Sequence, residues 1–440
     1  PLWVMEGLAE YFSIGYDETC DMVMRDILYN EHYASLMDLT RHRVKSAYLF
    51  YKEGQAFFYF FEQKYGREAI GELFRDARDM NFEEAVRART GKSLKELNLE
   101  WIRFYKKRYY PVVAGRNFDE EEGEQVTFHL NTKSSFNVAP AISPDAKKIA
   151  YLTNRDIYTD IALVDVKKDG KGRKKAKERR VRSILRGNTS ARFEGMHLLS
   201  NNLTWSADGG RICFVSQSNG RDVIFEIDPE RGNVLRETKL PFRSVRDPYL
   251  SKDGKAIAFI GQDNLAADLY LYDTEKNSLR RLTDDRFSER YPSLSPDRSF
   301  VVFSSNHNGE GAIDGKGYRI HKIDLNTGAR TVLVSGEGNN LQSDISPDAK
   351  RLVYISNRTG IYNAFTHDIA TGRDEMVTNA LCGIFYPRWF PDGERIAFAA
   401  YQNLGYDLFV KNLSGSPGRS DPPRATEITG VEYAPPYFDM

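Results

Sequence analysis

Cysteine is scarce. Cys20, Cys213 and Cys382 are the only three in 440 residues, and their odd number and wide separation exclude a disulfide framework and a cysteine-based zinc cluster. They are expected to be buried small hydrophobes. An excess of charge of either sign is also missing: 62 Lys plus Arg balance 62 Asp plus Glu, so no global field favours nucleic acid or an anionic membrane, and a charge-driven partner must use a local patch. No stretch approaches the ~18 consecutive apolar residues of a membrane-spanning helix. The most apolar run, 47–61, is interrupted by Lys52, Glu53 and Gln55. No phosphate-binding G-x-x-x-x-G-K-[ST] loop, dinucleotide fingerprint or nucleophile elbow occurs, which leaves nucleotide-dependent and serine-hydrolase chemistry without support. Among the seven histidines, His32, His42, His129, His197, His307, His321 and His367, no two form an H-E-x-x-H pair. The first residue is Pro1, and a helical pattern follows at once without a targeting segment, so the stretch is expected to belong to a longer protein.

What is present divides the chain in two. Hydrophobic residues make up 41%, enough for sizeable cores in two or three domains. Residues 1–112 carry helical periodicity over Ser46–Tyr65 and Arg67–Asp79, and capping boxes at Asn81/Glu84 and Ser93/Glu96 each open a further helix. Pro111 is expected to end the last one. Residues 113–124 contain Asp119, Glu120, Glu121, Glu122 and Glu124 around two glycines, the composition of an acidic linker.

From 125 to 430 the chain repeats. Turn motifs recur as Ser143-Pro144-Asp145, Ser206-Ala207-Asp208-Gly209, Ser251-Lys252-Asp253-Gly254, Ser295-Pro296-Asp297, Ser346-Pro347-Asp348 and Phe390-Pro391-Asp392-Gly393, with Asp-to-Asp spacings of 63, 45, 44, 51 and 44. Six residues after each Asp stands an aromatic: Tyr151, Phe214, Phe259, Phe303, Tyr354 and Phe398. Asp165, Asp228, Asp273, Asp368 and Asn412 follow at 20 residues, and Asp324 at 27. Pro fixes φ at the first corner, and Asp bonds its own backbone, so each motif reverses the chain between antiparallel strands. Units of this length with about four strands are propeller blades, and six turns predict six blades. The fold class is therefore multidomain, a helical domain followed by an all-β propeller. Val126–Leu130 and Ala425–Thr429 compete to complete the last blade, and residues 431–440 are a tail or the start of a further repeat.

These spacings closely resemble TolB-like propellers, whose repeats read as a Ser-Pro-Asp-Gly turn, a Lys-x-Ile-Ala-Phe strand and an Ile-Tyr-x-x-Asp strand. The resemblance implies binding of a protein or peptide partner, in a larger envelope assembly, through a propeller face or channel. It also implies export to a bacterial periplasm or outer envelope. The opening Trp3-Val4-Met5-Glu6-Gly7 resembles the second zinc-site segment of gluzincin metallopeptidases of the peptidase-MA-like clan. That resemblance, which covers about 1–110, implies the C-terminal part of such a domain, with Glu6 as the third zinc ligand and Tyr51, three residues before Gly54, as the tyrosine that steadies the tetrahedral intermediate. Glu6 alone cannot hold zinc. The cofactor is expected only if histidines lie before Pro1; otherwise the domain is a degenerate relic, and this stretch by itself is no complete enzyme.

The basic run Lys167–Arg182 holds ten Lys and Arg against Asp169 and Glu178. It is a candidate contact for an anionic partner, and the common explanation for such a run is a solvated loop. The turn aspartates are expected to make turns rather than bind calcium. His321 and His367 are expected to pack within strands. The leading expectation is a protein-binding, scaffolding propeller of the cell envelope; the alternative is a fragment of a secreted zinc metallopeptidase whose propeller recruits or gates peptide substrates.

Overall fold

The computed structural model describes residues 1–44, 46–132, 134–156, 158–167, 179–188, 192–198, 202–263, 267–307 and 317–414. The chain splits into two compact units, one built on Pro1–Asn117 and one on Phe118–Arg358 and the strands from Tyr362 onward.

The first unit consists of helices α1 (Leu2–Ile14), α2 (Glu18–Tyr29), α3 (Leu36–Thr40), α4 (Tyr48–Tyr65), α5 (Arg67–Asp76), α6 (Phe82–Thr90) and α7 (Leu94–Val113). Both capping boxes form: Asn81 and Ser93 accept from the backbone N–H of Glu84 and Glu96, whose carboxylates reach back to the cap N–H. Pro111 does not end α7, which continues to Val113. So close to the C-terminus the missing proline N–H removes a single hydrogen bond, which the last turn tolerates. α1 and α4 cross in backbone contact. A Cβ on Gly7 would lie 2.3 Å from the carbonyl carbon of Gly54, and one on Gly54 would lie 2.5 Å from the carbonyl oxygen of Trp3, so both positions require glycine. Around this crossing Trp3 packs edge-on against Phe57 (ring centroids 5.1 Å) and donates to Thr40 Oγ1 at 3.1 Å.

The second unit contains six four-stranded antiparallel sheets. Their first strands are Asn137–Ile142, Thr204–Trp205, Ser244–Leu250, Glu289–Leu294, Asn340–Ile345 and Ile384–Trp389. Each neighbours the next and the last neighbours the first, which closes a ring around a central channel. The sheets are six propeller blades, as the six turn motifs predicted.

Five of the six turns work through a serine, the sixth having Phe390 in its place. Ser143 donates to Asp145 Oδ1 at 2.6 Å and accepts from the N–H of Lys148 at 2.9 Å; Ser251 and Ser346 make the same pair of bonds. The turn carboxylates therefore hold their own loops, and the backbone N–H of Ser299 and neighbouring hydroxyls bring Asp297 down to about 2. The aromatic that follows is buried in all six blades. In five of them it stacks across the sheet on a ring of the next strand, as Phe214 on Phe225, Phe259 on Tyr270 and Phe398 on Phe409, with centroids 5.6–5.9 Å apart. His321 fills that slot opposite Phe303, where burial lowers its pKa to about 3. His367 is likewise buried in its strand. All three cysteines are buried.

The sixth blade is completed from the N-terminal side. Glu124 and Gln125 pair with Val410 and Phe409, and the Val126 N–H reaches the Leu408 carbonyl at 2.7 Å. The pairing lies just before the expected Val126–Leu130, because beyond Val126 the chain folds over Asp407. That carboxylate accepts from Thr127 Oγ1 (2.8 Å), the His129 N–H (2.9 Å), His129 Nδ1 (2.7 Å) and Asn137 Nδ2 (2.9 Å). The competing Ala425–Thr429 lies outside the described residues, as does 431–440. Residues 118–124 are not a free linker. Asp119–Glu122 forms a helical turn, and buried Glu122 pairs with Lys411 at 2.7 Å and accepts from the Asn379 N–H at 2.8 Å.

Candidate functional site in the propeller channel

The channel is lined by residues at fixed distances before each turn aspartate. Six residues before it the first strand bulges. Ala139, Asp247, Tyr291, Gln342 and Tyr386 all have φ between 51° and 56°, and the pairing register shifts beside them. Such a conformation costs a non-glycine residue about 1 kcal/mol or more. Part of that cost is offset between blades: the Tyr291 N–H donates to Asp247 Oδ2 at 3.4 Å, and the Tyr386 N–H to Gln342 Oε1 at 2.6 Å. Four residues before the turn aspartate a second layer stitches blades together. Thr204 accepts from the Leu250 N–H (3.0 Å), Ser293 from Ile345 (3.3 Å) and Asp344 from Trp389 (2.9 Å). In the third blade this position is Tyr249, whose hydroxyl instead reaches Asp344 Oδ1 at 3.1 Å. In the sixth it is Arg388.

At the turn end of the channel these layers open into a cavity of about 190 Å³, rimmed by Pro144, Ala207, Lys252, Pro347 and Pro391. Arg388 and Trp389 line it and are each 6% exposed. The Arg388 guanidinium donates to the Pro387 carbonyl (3.0 Å) and to Asn202 Oδ1 (2.9 Å). Its Nε, Asn202 Nδ2, Trp389 Nε1 and Asp247 Oδ1 are buried without a partner. Burial raises Asp247 to about 6 against the opposing pull of Arg246, Arg290 and Arg388.

The residues singled out for zinc chemistry lie elsewhere, on α1 and α4. Glu6 is half-buried beside Gly7 and makes no hydrogen bond or ion pair with a described residue, and Tyr51, 37% exposed, stands one turn before Gly54. The α1–α4 crossing thus adjoins both. Among the described residues no group of three or more His, Cys, Asp or Glu is placed to hold a metal ion. Of the basic run, 168–178 lies outside the described residues; at its end Arg179 is buried, Arg180 is exposed and the Arg182 side chain is partly exposed. Arg179 donates to the Gln125 carbonyl at 2.6 Å and pairs with Glu124 at 2.8 Å, and Arg182 donates to the Glu230 carbonyl at 2.7 Å. Among the described residues no helix is long and apolar enough to cross a membrane.

Sequence reasoning did not single out Asn202, Tyr249, Asp344 or Arg388. A signal existed: while the aromatic six residues after each turn aspartate stays Tyr or Phe, the position four before it reads Ala141, Thr204, Tyr249, Ser293, Asp344 and Arg388. A position that varies in chemistry inside a constant repeat is one whose identity the fold does not dictate.

Residues 127–317 match the TolB beta propeller domain family. An uncharacterized protein of Agrobacterium fabrum is 30% identical over 204 residues, 46% of this chain and 66% of that protein. The Tol-Pal system protein TolB of Francisella tularensis is 24% identical over 218 residues, 48% of each. The chain thus spans less than two thirds of either relative. Among solved structures, TolB from Acinetobacter baumannii matches with a TM-score of 0.45 at 20% identity, covering 63% of this chain and 61% of that one. The strand-built unit of this chain is accordingly a TolB-like six-bladed β-propeller.

Proposed function

We propose that this chain is a protein-binding, scaffolding propeller exported to the periplasm or outer envelope of a bacterium. The reading is carried by the turn-side end of the channel, where the closed ring of blades surrounds a largely apolar cavity, with Lys252 on its rim, above buried polar groups. Concave, largely apolar sites with a few convergent polar groups are where proteins take ligands. The likeness to the TolB family supports both the binding role and the envelope location. The test is a photo-crosslinking residue placed at Lys252 on the rim, and separately at Leu279 on an outer strand, in the full chain expressed in its own cell type. A discrete protein adduct from position 252 that position 279 does not give is expected. No adduct from the rim, or equal labelling at both positions, would overturn the proposal.

A second reading, that residues 1–110 belong to a zinc peptidase, is supported by one observation: the Gly7–Gly54 contact adjoins both Glu6 and Tyr51. It requires ligands from outside this stretch. In a protein that carries them, Glu6→Ala should abolish zinc retention; unchanged zinc content would remove Glu6 from the site.

A further inference from the structure

The cavity at the turn end of the channel is unbalanced in a specific direction. Arg388 has five N–H donors, of which two bond acceptors among the described residues, and among the described residues it forms no close ion pair, Asp247 acting on it only at longer range. Trp389 Nε1 and Asn202 Nδ2, the latter on the side chain whose carbonyl holds Arg388, are likewise donors without acceptors. The carboxylate in the cavity wall, Asp344, is already committed, one oxygen to the Tyr249 hydroxyl and the other to the Trp389 N–H. Asp247, whose carboxylate acts electrostatically on Arg388, is not among the residues lining the cavity and accepts none of the Arg388 N–H groups, so within the cavity the Arg388 Nε–H and the Trp389 Nε1–H are left for an acceptor that carries negative charge. Taking a guanidinium out of water without a directly bonded counter-ion costs several kcal/mol, and a carboxylate offers the charge-assisted hydrogen bonds that would offset it.

The remainder of the wall sets the other half of the ligand. Leu203, Trp205, Pro347 and Pro391 are apolar, and a cavity of about 150 Å³ is enough to hold benzene, so about 190 Å³ accepts one large side chain. Exposed Lys252 on the rim adds a second positive charge at the entrance.

We propose that this cavity binds a carboxylate attached to an apolar group, namely the C-terminal residue of a partner protein, with Arg388 pairing the terminal carboxylate and the side chain seated among Trp205, Pro347 and Pro391. This inference rests on the protein-binding reading above and specifies which part of the partner is read. A free apolar acid shares the chemistry, and the test separates the two.

The test is titration calorimetry on the full chain with three probes: acetyl-Gly-Gly-Phe with a free carboxylate, the same peptide as its C-terminal amide, and N-acetylphenylalanine. The free-acid peptide is expected to bind about tenfold or more tightly than the amide, as a charge-assisted hydrogen bond predicts. Arg388→Gln should remove that discrimination. Lys252→Ala, an exposed change that leaves folding alone, should weaken the acid two- to threefold and flatten its salt dependence. Equal affinity for acid and amide, or no binding of the peptide acid by folded protein, overturns the site. N-acetylphenylalanine binding as tightly as the peptide overturns the protein-terminus assignment in favour of a free acid. If the rim still crosslinks a partner while acid and amide are not distinguished, this inference fails and the protein-binding reading stands.

Discussion

Two arginines are buried in this molecule to the same degree and treated oppositely. Arg108 on α7 and Arg388 in the sixth blade are both 6% exposed, and in both the Nε has no acceptor. Arg108 has a counter-charge. Its Nη2 lies 3.1 Å from Asp21, which also accepts from the Tyr109 hydroxyl at 2.8 Å and pairs with Arg25. Its guanidinium further sits over the rings of Tyr16, Tyr59 and Tyr109 at 5.2–5.7 Å. Among the described residues Arg388 bonds two neutral oxygens and no carboxylate, and Asp247 feels its charge without bonding it. A buried charge that serves the fold is expected to be paired and hydrogen-bonded. Arg108 meets that standard and Arg388 does not, which marks the channel as a place where the protein holds a group ready rather than using it internally.

The comparison breaks most visibly on the paired side. Arg108→Met should destabilise the helical unit by about 3–5 kcal/mol, because it leaves Asp21 buried with reduced compensation; denaturant unfolding measures this, and a loss below about 1 kcal/mol would show that the pair is not needed. A smaller effect sharpens the unpaired side. Asp247 has its pKa raised to about 6 by burial, against about 3.9 in an unfolded chain. The folded state therefore holds its proton more firmly than the unfolded one. Its contribution is fully retained below about pH 4 and is lost as pH climbs through 6, by about 3 kcal/mol at most. Asp247→Asn should remove that fall. A wild-type stability that rises between pH 4 and 6 with the same slope in the variant would contradict it.

How much of this was legible in the sequence follows from what repetition can and cannot encode. The Ser-Pro-Asp turns and the aromatic six residues later recur because every blade needs the same reversal and the same sheet-to-sheet packing, so the number of blades could be counted. The capping boxes at Asn81 and Ser93 were legible because their partners lie three residues away. Pro111 misled because a helix-ending residue can sit inside the last turn at little cost. Ring closure was ambiguous because the strand that completes the sixth blade is two residues long and is held by side-chain bonds to Asp407, 280 positions from Thr127. Residues 113–124 read as an acidic linker, since nothing local announces that Lys411 will pair with Glu122. Arg388 was missed for a related reason: its significance lies in a missing partner, and only the assembled channel shows that none is there.

The most direct test of the central claim, that Arg388 is held for a ligand and not for the fold, is the unfolding free energy of Arg388→Met compared with that of the native chain. An unpaired buried cation replaced by an apolar side chain of similar length should leave the stability of the propeller unchanged or raise it. A loss of about 3–5 kcal/mol, matching that expected for Arg108→Met, would mean that Arg388 is structural after all and that the channel carries no waiting charge.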